Sequence, residues 1–302
     1  MSEFRCGFVA VIGRPNVGKS TLVNALVGAK VAITSSRPQT TRRVLRGILT
    51  TDEFQLILVD TPGVHRPRTL LGERLNAEVT DAMSGVDVVG LCLPADEAIG
   101  PGDRRIAASI GNRPCVVILT KMDTVSRDVV AARLTELAAF EQELGAQWAA
   151  IVPVSASRAE NLDALRSALV ACLPVGPALF PADRPTDESL EVSIAELIRE
   201  AALEGAREEL PHSIAVVVDE VAPRERREDQ APLTDVHAEL FVERDSQKAI
   251  IIGKNGARLK EIGSQARRGI EGLLGTAVFL DLRVKVAKDW QRDPRQLRRL
   301  GL

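Results

Sequence analysis

Tyrosine is absent from the 302 residues, and aromatic residues make up only 3% of them. That scarcity disfavours an RNA-binding fold that stacks bases on an aromatic platform. Cysteine is sparse as well. Cys6, Cys92, Cys115 and Cys172 stand far apart, with neither zinc nor disulfide spacing, and read as buried, reduced thiols of a cytoplasmic protein. His65, His212 and His237 are scattered, which argues against a histidine-built metal centre. Apolar runs such as Leu56–Val59 and Val86–Leu93 are far too short to cross a bilayer. The opening MSEFRCGFVAVIG lacks a basic region ahead of a long apolar core and a small-residue cleavage site, so no secretory signal is expected. A large charge of one sign is also missing, the net being -2, although a balanced total can conceal one basic segment.

What is present divides by texture, in a chain with room for about two domains. Through about Cys172, β-rich runs alternate with helical patterns. The runs are Phe8–Ile12, Phe54–Val59, Val86–Leu93, Cys115–Leu119 and Ala149–Val154; the helical patterns lie near Gly72–Met83, Asp103–Ile110, Arg127–Leu144 and Leu162–Cys172. This alternation predicts an α/β domain with a mostly parallel sheet, helices on both faces and ligands at the carboxyl ends of the strands. The proline-rich PVGPALFPADRP, Pro174–Pro185, reads as a linker. Beyond it the pattern predicts a helix over Leu190–Leu210 and strands over Ser213–Val221 and Val236–Glu243, separated by the charged, exposed PRERREDQAP. A short helix over Ser246–Ile252, a turn at Gly253–Gly256, a helix over Ala257–Leu274, a strand over Ala277–Ala287 and a basic helical tail complete the chain. The expected division is residues 1–173, a linker over 174–189, and an α+β second domain over 190–302.

Gly13, Arg14, Pro15, Asn16, Val17, Gly18, Lys19 and Ser20 fit G-x-x-x-x-G-K-[ST], between a predicted strand and a helix that continues through Thr21. Glycines let successive N–H groups turn inward on an anion, and the helix start favours negative charge. Lys19 suits the β- and γ-phosphates of a nucleotide, and the Ser20 hydroxyl suits Mg²⁺. Asp60, Thr61, Pro62 and Gly63 close the next run: Asp60 can hold Mg²⁺ through water, and the Gly63 N–H can touch the γ-phosphate. Thr120, Lys121, Met122 and Asp123 close a third run. The acceptor-only Asp123 carboxylate matches the two N–H donors of guanine, and the Lys121 stem can lie along the base. Ser155, Ala156 and Ser157 close a fourth, where a backbone N–H can meet the guanine oxygen. A lone K-x-D or S-A-x is more often a surface loop or helix cap; four such elements in this order, each ending a strand, point to GTP.

In the second domain, Ile252, Gly253, Lys254, Asn255 and Gly256 contain a G-x-x-G turn between helices, with Arg258 and Lys260 following. Such a turn clamps about four nucleotides of single-stranded RNA in a KH module. Alone it is more often a plain helix–turn–helix, but the predicted order α-β-β-α-α-β is that of a type II KH domain. The apolar run Ala249–Ile252 is expected to line the groove for bases. From Lys254 onward twelve Lys and Arg face five Asp and Glu, the electrostatic footprint of a phosphate-bearing partner.

The stretch GRPNVGKSTLVNALVG and the four loop motifs resemble the translation-factor-related GTPases, and LFVERDSQKAIIIGKNGARLKEIG with the G-then-KH order is similar to the Era family over essentially the whole chain. The resemblance implies binding and hydrolysis of GTP to GDP, binding of the 3′ end of small-subunit ribosomal RNA, and a part in small ribosomal subunit maturation. It also implies peripheral contact with the inner membrane and no DNA partner. It places a first switch at Gln39, Thr40, Thr41 and Arg42, with Thr41 as Mg²⁺ ligand and Thr40 its competitor, and makes Asn16 a candidate K⁺ ligand. Two positions depart from the wider pattern. Thr120 stands where Asn braces the phosphate loop and base, and its hydroxyl can make part of that contact. Val64 stands where signalling GTPases carry a water-orienting Gln, so unaided turnover is expected to be slow. The alternatives are a signalling GTPase whose second domain docks on a protein or membrane, the related Der family, which needs two phosphate loops, and a metabolic kinase, which needs an acceptor site.

Overall fold

The computed structural model describes residues 3–34, 41–63, 69–204, 210–224 and 231–300. The chain forms two compact units, Met1–Arg66 with Arg74–Asp187, and Glu188–Leu302 with Pro67–Glu73. In the first, strands β1 (Arg5–Ile12), β2 (Leu45–Thr50), β3 (Phe54–Asp60), β4 (Val88–Pro94), β5 (Cys115–Thr120) and β6 (Ala150–Pro153) form one sheet in the order β2-β3-β1-β4-β5-β6. Only β2 runs antiparallel to its neighbour.

The strands are near-continuous apolar runs because both faces are covered. On one face, Val9, Val11, Leu56, Leu58, Val116 and Ile118 pack with Leu22, Val23 and Leu26 of α1 (Lys19–Val27). On the other, Ala10, Ile12, Val89, Leu91, Val117 and Leu119 form a second core. Helices α2 (Leu70–Ser84), α3 (Pro101–Ala108) and α4 (Arg127–Leu144) send Val79, Ile106 and Leu137 into it. Helix α5 (Leu162–Ala171) adds Leu165 and Leu169 to the first core. Because β1, β3, β5 and β6 are parallel, the loops leaving Ile12, Asp60, Thr120 and Pro153 share one edge of the sheet.

The expected linker behaves differently. Cys6 N–H donates to Pro174 O at 3.1 Å and Ile48 N–H to Pro185 O at 2.8 Å. Buried Gln55 donates through Nε2 to Phe180 O at 2.8 Å and accepts from Leu179 N and Phe180 N at 2.7 and 2.9 Å. Phe180 sits edge-on to Phe8, and Arg46 pairs with Asp187. Proline removes donors but leaves carbonyl acceptors, so this extended segment is strapped along the first unit.

In the second unit, β7 (Ala215–Pro223), β8 (Leu233–Val242) and β9 (Ala277–Val286) form a sheet in that order, antiparallel between β7 and β8 and parallel between β8 and β9. Helices α6 (Leu190–Leu203), α8 (Asp245–Ile252) and α9 (Ala257–Leu274) bury Ile194, Ile198, Ile251, Ile262, Ala266 and Ile270. The order α-β-β-α-α-β matches the expectation; the first helix ends at Leu203, and a short α7 (Leu210–Ser213) follows. Buried Trp290 donates Nε1–H to Ser213 O at 3.0 Å, and α10 (Pro294–Arg299) buries Leu297. The tail is therefore anchored on the second unit, with Arg299 lying over the Phe241 ring. Cys6, Cys92 and Cys115 are buried free thiols and Cys172 is half-buried. Burial pushes Cys92 and Cys115 each up to about 12.

Candidate nucleotide and nucleic-acid sites

A cavity of about 440 Å³ opens at the carboxyl edge of the first sheet. Its lining includes Pro15, Asn16, Gly18, Lys19, Ser20, Thr21, Thr41, Gly63, Thr120, Lys121, Asp123, Ala156 and Ser157. Ile33, Thr34 and Thr124 also line it, and no motif marked them. Asn24 supplies the local signal for the first two: its side chain accepts from Val31 N and Ala32 N and donates to Ala32 O, which fixes the turn leading to them. Gln39, Thr40 and Val64 lie outside the described residues.

The phosphate loop needs left-handed backbone at Asn16 (φ 62°) and Gly18 (φ 97°). Gly63 has a different reason to be glycine: a Cβ there would lie 2.8 to 2.9 Å from Pro15 atoms, so the D-x-x-G segment rests directly on the phosphate loop. Lys19 is buried and donates to Gly13 O and Arg14 O at 3.1 and 2.9 Å. Burial pushes its ammonium below the ordinary value, with nearby Asp60 opposing. Burial pushes the Asp60 carboxyl up, opposed by hydrogen bonding from Ser20 and by the Lys19 charge.

Ser20 Oγ lies 2.7 Å from Asp60 Oδ2 and 3.0 Å from Thr41 Oγ1, and Thr41 Oγ1 lies 3.4 Å from the same carboxylate oxygen. The second oxygen of Asp60 is buried with no hydrogen-bond partner. Three converging hard oxygens and an orphaned carboxylate oxygen fit Mg²⁺. No cluster of three or more His, Cys, Asp or Glu suited to a metal occurs among the described residues.

Thr120 Oγ donates to Val17 O at 2.6 Å, which ties the base loop to the phosphate loop by the contact expected of a shorter side chain. Asp123 is placed by the fourth loop. Ser157 Oγ donates to its Oδ2 at 3.0 Å and stands 3.1 Å from Ser155 Oγ. Hydrogen bonding from Ser155, against some burial, and then from Ser157 holds the Asp123 carboxyl below the usual range. Thr61 Oγ donates to Val11 O and is buried, so its side chain is structural. Arg14 enters the motif as a loop position, through its backbone. Its side chain leaves the cavity and binds Asp103 and Glu97 at 2.7 and 2.9 Å, so only its backbone faces the phosphate loop. Arg42, drawn into the first switch by resemblance, is buried.

In the second unit the turn is built on left-handed backbone at Gly253 (φ 71°), Asn255 (φ 53°) and Gly256 (φ 75°). A Cβ on Gly253 would lie 2.8 Å from Arg258 Cβ, whereas one on Gly256 would meet nothing within 4 Å. The first glycine is thus required by backbone and by packing, since φ 71° with ψ 175° is essentially open only to glycine, and the second by its left-handed backbone and by access. Lys254, Asn255 and Lys260 are exposed. Arg258 is half-buried and donates to Glu204 O at 3.3 Å. The apolar run does not line a groove as a whole: Ile251 is buried in the core, Ile250 is 51% exposed and Ile252 is intermediate. Successive residues of a helix point about 100° apart, so a continuous apolar run cannot share one face. An open cleft of about 530 Å³ runs instead between α9 and β9, from Gly256 and Lys260 to Arg267 on one wall and along Phe279–Leu282 on the other. Of the predicted RNA residues only Gly256 and Lys260 line it. The β9 wall carried no sequence signal, since a strand's exposed edge is decided by pairing.

No helix among the described residues is long and apolar enough to cross a membrane. A family model described as a 50S ribosome-binding GTPase matches residues 8–121, and a KH domain model matches 209–291. GTPase Era from Mycobacterium sp. (strain KMS) is 64% identical over 305 residues, covering 100% of both chains. That of Mycobacterium tuberculosis (strain ATCC 25618 / H37Rv) is 62% identical over 306 residues, again with 100% of both covered. Among solved structures, a variant of Aquifex aeolicus Era bound to GDP·AlF₄⁻ matches with a TM-score of 0.92 at 38% identity, over 98% of this chain and 99% of that one. Era in complex with MgGDPNP and nucleotides 1506–1542 of 16S ribosomal RNA matches with a TM-score of 0.92 at 38% identity, over 99% of each. A phosphate loop, a Mg²⁺-suited oxygen cluster and a guanine-suited carboxylate in one unit, a KH fold in the other, and these full-length relatives agree: the chain belongs to the Era family of GTPases.

Proposed function

We propose that the first unit binds GTP at the cavity containing Lys19 and Asp123 and hydrolyses it to GDP and phosphate. We further propose that the second unit binds the 3′ end of small-subunit ribosomal RNA in maturation of the small ribosomal subunit. The observation that carries this reading is a buried lysine, three converging oxygens and a serine-held carboxylate facing one cavity. Backbone N–H groups of the loop from Asn16 to Ser20 and the start of α1 cradle the phosphates. Lys19, whose ammonium carries three N–H donors, reaches the β- and γ-phosphate oxygens from its place against the Gly13 and Arg14 carbonyls, and Asp123 accepts both N–H donors of guanine. Ser20, Thr41 and Asp60 would hold Mg²⁺, which when bound neutralises charge on the β- and γ-phosphates. A K⁺ ion at Asn16 is the finer proposal, and equal turnover in Na⁺ and K⁺ would remove it.

The RNA reading is supported by the KH fold, the exposed Lys254 and Lys260, the cleft beside them and the 16S fragment bound by the solved relative. Residence in the cytoplasm, where GTP and ribosomes are, follows from it. GTP is expected to order Thr41 and the segment after Gly63, and release on hydrolysis to change RNA access. Binding of short oligomers from the 16S 3′ end, measured with GDP and with a GTP analogue at two salt concentrations, tests both parts. Equal affinity in the two nucleotide states would end the switch. Absence of any RNA affinity would favour a second domain that docks on protein or on an inner-membrane surface.

A further inference from the structure

Arg14 belongs to the phosphate loop and Lys121 to the base loop, yet both side chains make their ion pairs with one segment, the connection from β4 to α3 with the first turn of α3. Arg14 Nε donates to Asp103 Oδ1 at 2.7 Å and Arg14 Nη2 to Glu97 Oε2 at 2.9 Å. Lys121 Nζ lies 3.4 Å from Asp96 Oδ2, and Ala95 N–H donates to Thr120 O at 2.9 Å. The segment is itself held from behind by α4: Ile99 N–H donates to Glu136 and Arg133 Nε to Ala95 O, at 3.3 and 3.4 Å. Asp103 is 1% exposed and divided between tasks, since its other oxygen accepts Gly100 N–H at 2.9 Å at the start of α3. Gly102 leaves room for the arginine stem; a Cβ there would lie 2.9 Å from Arg14 Cδ.

We propose that residues Ala95–Asp103 form an acidic bracket whose Asp96, Glu97 and Asp103 are positioning residues for the phosphate and base loops, setting both before nucleotide arrives. A loop built on left-handed residues has no ladder of its own to hold it, so a forked arginine anchored on a buried carboxylate supplies the constraint. The carbonyls that hold Lys19 belong to Gly13 and to Arg14 itself, so the same anchor aims the lysine. Fixing the loops in advance lowers the ordering cost of binding. This inference rests on reading the cavity as the GTP site.

The test is steady-state GTP hydrolysis by the full chain, with melting temperature measured alongside. Arg14→Gln should raise KM about tenfold, by loss of two charge-assisted hydrogen bonds. Glu97→Gln should raise it about threefold, because that partner is half exposed. In both, kcat stays close to wild type; melting temperature stays there in Glu97→Gln and falls in Arg14→Gln, which leaves the buried Asp103 carboxylate without its cation. Gly102→Ala, which favours the helix while pushing on the Arg14 stem, should also raise KM, and Arg14→Lys should recover part of the Arg14→Gln loss. Unchanged KM in both Arg14→Gln and Gly102→Ala, or a loss confined to kcat or melting temperature, overturns the bracket. A Lys19→Ala control separates the two readings: if it binds GTP as wild type does, the cavity assignment itself falls, and the bracket with it.

Discussion

The two glycine turns of this protein solve a similar backbone problem for opposite kinds of ligand. Asn16 and Gly18 in one, Asn255 and Gly256 in the other, adopt left-handed conformations just before a helix begins. Around the first, other loops close in: buried Lys19, Gly63 against Pro15, and Thr120 bonded to Val17 O. Around the second, Lys254, Asn255 and Lys260 remain exposed and an open cleft runs on along α9. The enclosed turn suits a small ligand whose every group is read. The open one suits a polymer whose backbone must enter and leave at both ends. The same local conformation serves either, and the neighbours decide.

The contrast can be broken most forcefully at its enclosed end. Lys19→Ala should weaken GTP binding about a hundredfold, because the phosphate charge then meets no buried cation; a fluorescent GTP-analogue titration checks it. At the open end, Gly256→Asp, where a Cβ meets nothing within 4 Å, should lower affinity for a 16S 3′-end oligomer roughly tenfold, by repulsion of phosphates, as read by filter binding with circular dichroism of the full chain as the folding control. Thr120→Val leaves Val17 O unpaired, and a cost of about 1–3 kcal/mol translates to about tenfold in nucleotide affinity. Lys254→Ala and Lys260→Ala should each make the salt dependence of RNA binding shallower by about 0.7 in logarithmic slope, while GTP binding keeps its slope. The smallest effect is with pH. Because Asp123 is held below the usual carboxylate range, its ionised, guanine-accepting form persists as pH falls, and the contact is lost only below that range. Guanine over adenine selectivity should therefore be the same at pH 7 and at about pH 4, where an ordinary aspartate is half protonated. A fall in selectivity across that interval would show that Ser155 and Ser157 do not hold the carboxylate.

Much of this was legible from the residues. Arg127–Leu144 and Ala257–Leu274 occupy the helices their periodicity predicts, and the four loop motifs stand at strand ends because apolar runs buried on both faces are hard to misread. Strand β2 was not legible. Arg46 and Gly47 interrupt its apolar pattern, and Gly47 is there because α1 lies so close that a Cβ would sit 2.8 Å from Val23. The motif named Arg14 as a loop position and was silent on its side chain, because a motif records positions and not directions. Asp103 and Glu97, its true partners, are 89 and 83 residues away. The strap was read as a linker because proline-rich composition describes what a segment lacks, and carbonyls that accept hydrogen bonds leave no mark in sequence.

That strap bears on how the protein can be dissected. Cutting the chain after Cys172 would strip Gln55 of the backbone groups its amide now serves, uncover Phe8, and leave β2 as an open edge able to recruit a strand from another molecule. A nucleotide-binding fragment that stays monodisperse should therefore extend to Asp187.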